Sequence, residues 1–288
     1  MKNPAPEHHP KFSTDTLHAR FPEPEDITRT GARWIVVGDE TVAARTGAPM
    51  TAVLTKPPAT LGFTVGEPQY LGHRGEIPVY AAGAAIGSPV PAGWEFFGVR
   101  DLFGRIPDEE LALAALAVQL TGFDRTTLFC GRCGARTTRV VTERARSCPS
   151  CGLVVYPRLS PAVIVLVARG DQVLLARSPR FPPGMFSVIA GFVEPGENLE
   201  HAIHREVREE TGIGVTNIRY FGSEPWPFPH SLMIGFVADY ESGGIVIDKK
   251  EIESAFWFDR EHLPRVPEKL SISRALIDWW VHEGAGGR

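Results

Sequence analysis

The stretch GFVEPGENLEHAIHREVREETGI, residues 191–213, is the most informative part of this chain. Pro195-Gly196 predicts a turn, and Asn198 predicts the cap of a helix that begins directly after it. Apolar residues then recur at the helical period, at Leu199, Ala202, Ile203 and Val207. Gly212 predicts the end of the helix. We therefore expect a helix with one buried face between residues 198 and 212.

The same helix carries three carboxylates that its apolar stripe does not explain. Glu206 and Glu210 are one turn apart, and Glu209 lies three residues after Glu206. Oxygen-rich clusters of this kind suit Mg²⁺ or Mn²⁺, which proteins usually bind together with substrate phosphates. The alternative is a solvated acidic face whose glutamates pair with Arg205 and Arg208. The fixed spacing of the glycine, the turn and the acidic residues favours the metal site.

Two Cys-x-x-Cys pairs, Cys130/Cys133 and Cys148/Cys151, account for all four cysteines of the chain. Each pair lies in a turn that contains Gly or Pro, so the four thiolates can converge on one tetrahedral Zn²⁺. Two disulfides or a redox-active pair are the competing interpretations; the former do not suit a reducing compartment, and no thioredoxin-like pattern surrounds either pair. We predict a structural zinc ribbon that clips two domains together. Four arginines near the cysteines do not by themselves establish nucleic-acid binding: Arg136, Arg139, Arg144 and Arg146.

Composition indicates an ordinary globular protein. The chain has 288 residues, 43% of them hydrophobic and 22% charged, with a net charge of −4. This length suits two domains and a small module, and the charge does not predict attraction to nucleic acid or membrane. No apolar run approaches the ~20 residues of a membrane span, and the N-terminus lacks the apolar core of a secretory signal. We predict a cytoplasmic protein whose residues 1–30 form a poorly ordered tail.

Short apolar runs predict the remaining architecture. Residues 31–125 are expected to form an α+β domain with a helix over 108–121 and strands over 34–37, 50–54, 69–71, 77–82 and 95–99. The ribbon is expected over 126–156. Residues 157–288 are expected to form one mixed sheet with a helix on either side, with strands over 162–168, 172–176, 186–190, 217–222, 232–240 and 255–258. The last helix is amphipathic, with Ile272, Leu276, Trp279 and Trp280 on a face that predicts core or a dimer contact.

The segment SEPWPFPHS, residues 223–231, contains three prolines and cannot pair as a regular central strand. We predict a stiff loop that holds Trp226 and Phe228 in place. Exposed rigid aromatic rings stack on flat rings such as adenine or nicotinamide, whereas the alternative is a proline-braced plug of the core.

Residues 191–213 resemble a complete Nudix box, the signature of hydrolases that act on nucleoside diphosphates linked to another moiety. The fixed positions of the box are all matched, by Gly191, Glu197, Arg205, Glu206, Val207, Glu209, Glu210, Gly212 and Ile213. The segment 223–231 resembles the SQPWPFPxS motif of the NADH pyrophosphatases, the NudC-type branch of that family. The ribbon and the Tyr156-Pro157-Arg158 sequence that follows it fit the same branch. One position departs from the motif, since Glu224 replaces the glutamine of the family.

The resemblance implies a fold, a reaction and a set of site residues. The C-terminal domain would be an α/β/α sandwich that cleaves the pyrophosphate of NAD(H) to nicotinamide mononucleotide and AMP, and that removes the NAD cap from RNA. Metal ligands for Mg²⁺ or Mn²⁺ would be Glu206, Glu210, Glu251 and the backbone carbonyl of Ala190, with Glu209 as a further ligand or base. Glu197 and Arg205 would brace the box by pairing with each other. A homodimer is also implied.

Substrate contacts follow from the same resemblance. Tyr156 is implied as a stacking residue, and the 223–231 segment contributes Glu224, Pro225, Trp226, Pro227, Phe228, Pro229, His230 and Ser231. Arg100 is a candidate contact for a phosphate or carboxylate, although an ordinary surface arginine is the alternative. If Glu224 touches the dinucleotide, its acceptor-only carboxylate would alter specificity relative to an amide.

Two other functions are compatible with parts of the sequence. A Nudix hydrolase could act instead on ADP-ribose or a dinucleoside polyphosphate, which Glu224 leaves open. An RNA-binding protein with a vestigial Nudix fold is the second alternative, but such a site would be expected to lose its carboxylates, and none is missing.

Overall fold

The computed structural model describes residues 8, 10–19 and 31–283, with Glu283 described by its backbone alone. The chain divides into two compact units, residues 11–158 and residues 159–288, the latter together with residues 1–10. Most of the predicted tail over 1–30 lies outside the described residues. Its described residues 11–19 belong to the first unit, where Phe12 is buried and His18 forms a β-bridge with His73. His8 belongs to the C-terminal unit, where its ring lies 6.0 Å from that of Phe221.

The unit of residues 11–158 contains a five-stranded mixed sheet. Its strands are β1 (Arg33–Val37), β2 (Thr41–Arg45), β3 (Gln69–Arg74), β4 (Ile77–Gly83) and β5 (Trp94–Gly98), in the order β3-β4-β1-β2-β5. Only the β1–β4 pairing in this sheet is parallel. Helix α1 (Asp108–Thr126) begins with three acidic residues, which favour a helix N-terminus. The predicted α+β class is confirmed.

Two element predictions in this sheet are wrong. Strand β2 was not expected, and residues 50–54 form only isolated bridges, Arg45–Thr51 and Trp34–Leu54. The physical reason lies in the Glu110 carboxylate, which accepts hydrogen bonds from the backbone N–H of Ala52 at 2.9 Å and from the Thr51 hydroxyl at 2.8 Å. A side chain thus satisfies a backbone donor that a strand ladder would otherwise use.

The ribbon is a small three-stranded sheet at the end of the same unit. It consists of β6 (Thr138–Arg139), β7 (Arg146–Ser147) and β8 (Val154–Val155), all paired antiparallel.

The C-terminal unit is built on one mixed sheet. Its strands are β9 (Ser160–Arg169), β10 (Gln172–Arg177), β11 (Ile189–Phe192), β12 (Gly214–Trp226), β13 (Ser231–Ser242) and β14 (Ser254–Asp259). The order is β12-β13-β9-β10-β14, and β11 also pairs with β9. The β9–β13 pair is parallel and the others are antiparallel.

The two helices of this unit cover opposite faces of the sheet. Helix α2 (Leu199–Thr211) packs its Ala202, Ile203 and Val207 against one core cluster. Helix α3 (Ile272–Glu283) packs Ile272, Leu276 and Trp280 into the other. The amphipathic face of the last helix is therefore core, and the predicted α/β/α sandwich with a mixed sheet is confirmed.

Both predicted ends of α2 are confirmed. The Asn198 side chain accepts a hydrogen bond from the backbone N–H of His201 at 2.8 Å. At the other end Gly212 adopts a φ of +73°, and its N–H donates to the carbonyl of Arg208 at 2.8 Å. A left-handed residue of this kind ends a helix with little strain only when it lacks a Cβ atom.

The segment 223–231 is more regular than predicted. Strand β12 continues to Trp226, and Pro225 lies in register with Leu232 of β13. Since β12 is an edge strand of the sheet, a proline there need not interrupt a ladder on both sides. The proline-rich loop shortens to the turn between Trp226 and Ser231.

Among the described residues, no helix combines the length and the apolar character that crossing a bilayer would require.

Candidate active site

Strand β11 and helix α2 meet at Gly191. A Cβ atom built on Gly191 would lie 1.9 Å from the Cδ atom of Glu206, so any larger residue would displace that carboxylate. The strand reaches this position because β11 pairs with Ala162–Val165 of β9, leaving Val167–Arg169 of β9 to pair with β10. The glycine that opens the box is thus required by the close approach of the sheet to the helix.

Three carboxylates converge beside this contact. One oxygen from each of Glu206, Glu210 and Glu251 can be chosen so that all lie within 4.8 Å of one another. The first two are each only 8% exposed, whereas Glu251 is exposed. Glu251 comes from a turn that is tied to the helix, since the backbone N–H of Asp248 donates to the carbonyl of Glu210 at 3.2 Å. The structure thus brings together three of the predicted metal ligands.

Burial raises the pKa of two carboxyl groups in this cluster. Desolvation, followed by the charges of Glu206, Glu251 and Asp248, raises the pKa of Glu210 to about 8. Burial also raises the pKa of Glu206, although its hydrogen bond with Arg205 opposes the shift. Like charges held close together, two of them on buried side chains, favour a bound proton or a bound cation.

The donor set fits a hard divalent cation. Oxygen atoms that share one octahedral Mg²⁺ at about 2.1 Å lie about 3–4 Å apart, so only a small closure of the cluster is needed. Ala190 lies in β11 directly before Gly191, and its carbonyl belongs to the peptide bond between them. Its role as a ligand stays a prediction.

Arg205 fixes the outer side of the cluster. Its guanidinium donates to both carboxylate oxygens of Glu197, at 2.6 and 2.8 Å, to Glu206 at 2.8 Å and to the carbonyl of Phe192 at 2.9 Å. This bidentate pair, with the backbone N–H of Glu194, lowers the pKa of Glu197 to about 2. The predicted pairing of Glu197 with Arg205 is confirmed.

Glu209 stands apart from the three converging carboxylates. Its side chain is 62% exposed, and it accepts a hydrogen bond from Arg205 at 3.2 Å. The structure therefore places it at the rim of the site, and its role as a ligand or base stays a prediction.

The four cysteines also meet at one point. All four sulfur atoms lie within 4.8 Å of one another, with Cys130–Cys151 at 3.6 Å and Cys133–Cys148 at 3.5 Å. Four sulfur ligands about 2.3 Å from a tetrahedral zinc ion are separated by about 3.8 Å. Gly134 and Gly152 each follow their pair with a φ of +74°, which turns both loops in the same way. The sulfur geometry fits the predicted Zn²⁺ site.

The arginines of the ribbon are mostly engaged inside its own unit. Asp124 of α1 accepts from Arg146 at 2.9 Å and from Arg139 at 2.7 Å. Arg144 donates to the carbonyl of Leu71. Of the four arginines considered in the sequence, only Arg136 is exposed. These contacts hold the ribbon to α1 and the five-stranded sheet, and they leave few of its cations for nucleic acid.

Comparisons with known proteins agree with both centres. A NUDIX domain model matches residues 158–280, an NADH pyrophosphatase zinc ribbon domain matches 125–156, and an NADH pyrophosphatase-like rudimentary NUDIX domain matches 31–122. A protein of Deinococcus radiodurans named NAD-capped RNA hydrolase NudC is 49% identical over 212 residues, which are 72% of this chain and 75% of that protein. A protein of the same name from Pseudomonas aeruginosa is 52% identical over 217 residues, which are 75% and 77% of the two chains. The chain belongs to the NudC-type NADH pyrophosphatase family of Nudix hydrolases.

Within this NudC-type chain, the structure corrects the expectation for Glu224. The side chain is fully buried, and its carboxylate accepts a hydrogen bond from the backbone N–H of Ile272 at 2.6 Å. That N–H belongs to the first turn of α3, where an acceptor is needed and a negative charge is favoured. Glu224 therefore holds the end of β12 to the start of α3 and presents no surface to a ligand.

The other predicted residues of this segment surround a tight turn. The rings of Trp226 and Phe228 meet edge to face at 5.1 Å, and both are partly exposed. His230 Nδ1 and the hydroxyl of Ser160 are hydrogen-bonded at 3.1 Å. The remaining members differ in exposure, with Pro227 and Ser231 buried and Pro225 and Pro229 exposed.

Arg100 and Tyr156 belong to the other unit. Both are exposed, and the hydroxyl of Tyr156 donates to Glu143 at 3.3 Å. Because both lie in the unit of residues 11–158, their roles as substrate contacts stay predictions.

Two residues near the carboxylates were missed by the sequence analysis. Phe192 is 57% exposed and pairs with Ala162 of β9. Ala162 pairs in turn with Met233 of β13, and Met233 pairs with Glu224 of β12, so these side chains share one face of the sheet. The alternation of a strand through Gly191 was the signal that could have found it. Asp248 adds negative charge to the cluster, and it stands three residues before Glu251 in the sequence.

Proposed function

We propose that this protein hydrolyses the pyrophosphate bond of NAD(H) to nicotinamide mononucleotide and AMP, and that it removes the NAD cap from the 5′ end of RNA. The single observation that carries the proposal is the convergence of Glu206, Glu210 and Glu251 beside Gly191. The names of the relatives supply the substrate, since each is an NAD-capped RNA hydrolase.

The carboxylates of Glu206, Glu210 and Glu251 would hold a divalent cation. We propose Mg²⁺ or Mn²⁺, because the donors are oxygen atoms. When bound, such an ion would supply positive charge to the pyrophosphate and would acidify the attacking water. The attacking water gives one proton to a base and its oxygen forms a bond to one phosphorus atom. The bridging P–O bond breaks, and the leaving phosphate departs as the anion or takes up a proton from solvent.

The remaining residues of the box orient this centre. Arg205 keeps Glu206 and Glu209 in fixed positions through its hydrogen bonds, at 2.8 and 3.2 Å. Glu209, at the exposed rim, is the candidate to accept a proton from the attacking water, and the Ala190 carbonyl is the candidate fourth ligand.

The dinucleotide bases need flat apolar partners. Phe192 and Trp226 expose aromatic surface on the same face of the sheet. Trp226 pairs with Ser231, which pairs with Ser160, and Ser160 lies two residues before Ala162, the partner of Phe192. Phe228 braces Trp226 from its edge. We propose that these rings stack on a base of the substrate, and that Tyr156 and Arg100 add contacts as the family resemblance implies.

Assembly and location rest on the resemblance. We propose a homodimer, for which the exposed Phe129 and Val141 of the ribbon offer apolar surface, and a cytoplasmic location. We also propose domain boundaries near residues 30, 125 and 156, as the sequence predicts. Light scattering of the full chain tests the dimer.

A comparison of substrates tests the reaction. NADH, NAD⁺ and ADP-ribose are incubated with Mg²⁺ or Mn²⁺ and either the wild-type protein or Glu210→Gln. We expect nicotinamide mononucleotide and AMP from the dinucleotides, a lower kcat/KM for ADP-ribose, and loss of activity in the variant. Turnover of ADP-ribose alone would contradict the NAD assignment and leave only the Nudix chemistry. Since Glu224 contacts α3, it no longer argues for that alternative.

A further inference from the structure

Lys249 and Lys250 stand in the turn that delivers Glu251 to the carboxylate cluster. Both side chains are exposed. Among the described residues, neither takes part in an ion pair, although Asp248 and Glu251 flank them.

The turn holds these lysines in a defined place. The backbone N–H of Ile252 donates to the carbonyl of Asp248 at 2.9 Å, and the Asp248 side chain accepts from the backbone N–H of Lys250 at 2.9 Å. The Asp248 N–H is in turn bonded to Glu210 at the end of α2. The Cα atoms of Lys250 and Glu251 are about 3.8 Å apart across one peptide bond. The backbone that carries the two lysine side chains is thus held beside the predicted metal ligands.

Two arginines near the cluster are already engaged. Arg205 is bonded to Glu197, Glu206 and the carbonyl of Phe192. Arg177 pairs with Glu253 and donates to the carbonyl of Phe181. The bound divalent cation would neutralise the pyrophosphate that is cleaved, but not the phosphates further along an RNA chain. Those phosphates would meet a surface made negative by Glu209, Glu251 and Asp248.

We propose that Lys249 and Lys250 bind the first phosphates of the RNA that follows an NAD cap. This inference rests on the proposed function and extends it from the dinucleotide to the polynucleotide. A lysine ammonium on a flexible stem suits a phosphate that varies in position, because it acts as a point charge. The contacts carry no base information, so the preference is for any single-stranded capped RNA over free NAD(H).

The double variant Lys249→Gln/Lys250→Gln separates the two substrates. The glutamines keep most of each side chain and remove both charges. We expect an unchanged kcat/KM for NADH and a reduced kcat/KM for a short unstructured NAD-capped RNA. Each phosphate contact to a single strand contributes about 0.7 to the slope of log affinity against log salt, so the slope should fall by about 1.4. The ratio of the wild-type kcat/KM to the variant kcat/KM on capped RNA should therefore be about 7-fold larger at 50 mM than at 200 mM salt.

A matched control loses the same charge elsewhere. Arg265 and Lys269 are exposed residues of the segment before α3, and Arg265→Gln/Lys269→Gln should keep the wild-type rate on capped RNA. Equal salt slopes for wild type and the lysine variant would overturn the inference, as would a parallel loss of NADH hydrolysis. Wild-type protein that cleaves NADH but not capped RNA would overturn it while sparing NAD(H) hydrolysis. Wild-type protein that cleaves neither would refute the proposed function itself.

Discussion

Replacing Glu210 with glutamine should stabilise the protein when no divalent cation is bound at the cluster. Burial beside Glu206 and Glu251 raises the pKa of the Glu210 carboxyl to about 8. A glutamate of the unfolded chain has a pKa of about 4.3, so at pH 7 folding requires the carboxyl to take up a proton. At 1.36 kcal/mol per pH unit, this uptake costs roughly 3 to 4 kcal/mol at pH 7.

The sign of the effect follows from the raised pKa. Below about pH 4 the carboxyl is protonated in both states and costs nothing. Stability is then lost as the pH rises toward the folded pKa of about 8, and the loss is complete above it. Glutamine removes this dependence because it does not titrate.

Unfolding by urea at pH 5 and pH 7 measures the prediction. The protein is dialysed against buffer without divalent cations and without chelator, so that the ribbon keeps its zinc. We expect Glu210→Gln to exceed the wild type by roughly 3 kcal/mol at pH 7 and by about 1 kcal/mol or less at pH 5. Glu209→Gln is the matched control, because its side chain is 62% exposed and should change stability little. No gain at pH 7, or the same gain at both pH values, would refute the reasoning.

Three further predictions concern the rest of the molecule. Asp124→Asn should lower the free energy of unfolding by about 3–5 kcal/mol, because it leaves the buried guanidinium of Arg146 without its carboxylate. Asp39→Asn, at an exposed ion pair, is the control and should cost less than about 1 kcal/mol. Urea unfolding of both variants measures the difference. Cys148→Ser should abolish zinc binding, measured as metal content per chain, and retention of one zinc ion would contradict the four-sulfur site. Glu224→Ala should cost about 1–3 kcal/mol because the N–H of Ile272 loses its acceptor, whereas Glu224→Gln keeps an oxygen there; equal thermal stability of the two variants would disprove the assigned contact.

The local features of the catalytic helix could be predicted from sequence because they depend on neighbouring residues. The cap at Asn198, the end at Gly212 and the buried stripe all arise within the helix. The spacing of Glu206 and Glu210 likewise places both carboxylates on one side without knowledge of the fold. The four cysteines were equally informative, because their paired spacing leaves few geometries.

Long-range contacts decided what sequence could not predict. The role of Glu224 depends on the N-terminus of α3, which lies 48 residues later in the chain. The failure of residues 50–54 to form a strand depends on Glu110, which belongs to a helix outside that sheet. The exposure of Phe192 follows from the register of β11 on β9, which periodicity in a four-residue strand does not fix.

The most direct test of the central claim is the fate of NAD-capped RNA. The RNA is incubated with Mg²⁺ or Mn²⁺ and either wild-type protein or Glu210→Gln, and the small products are identified by mass spectrometry. The carboxylate cluster predicts nicotinamide mononucleotide and 5′-monophosphorylated RNA in equal amounts from the wild type, and an intact cap with the variant. An intact cap with the wild type, or release of nicotinamide in place of its mononucleotide, would contradict pyrophosphate hydrolysis at this site.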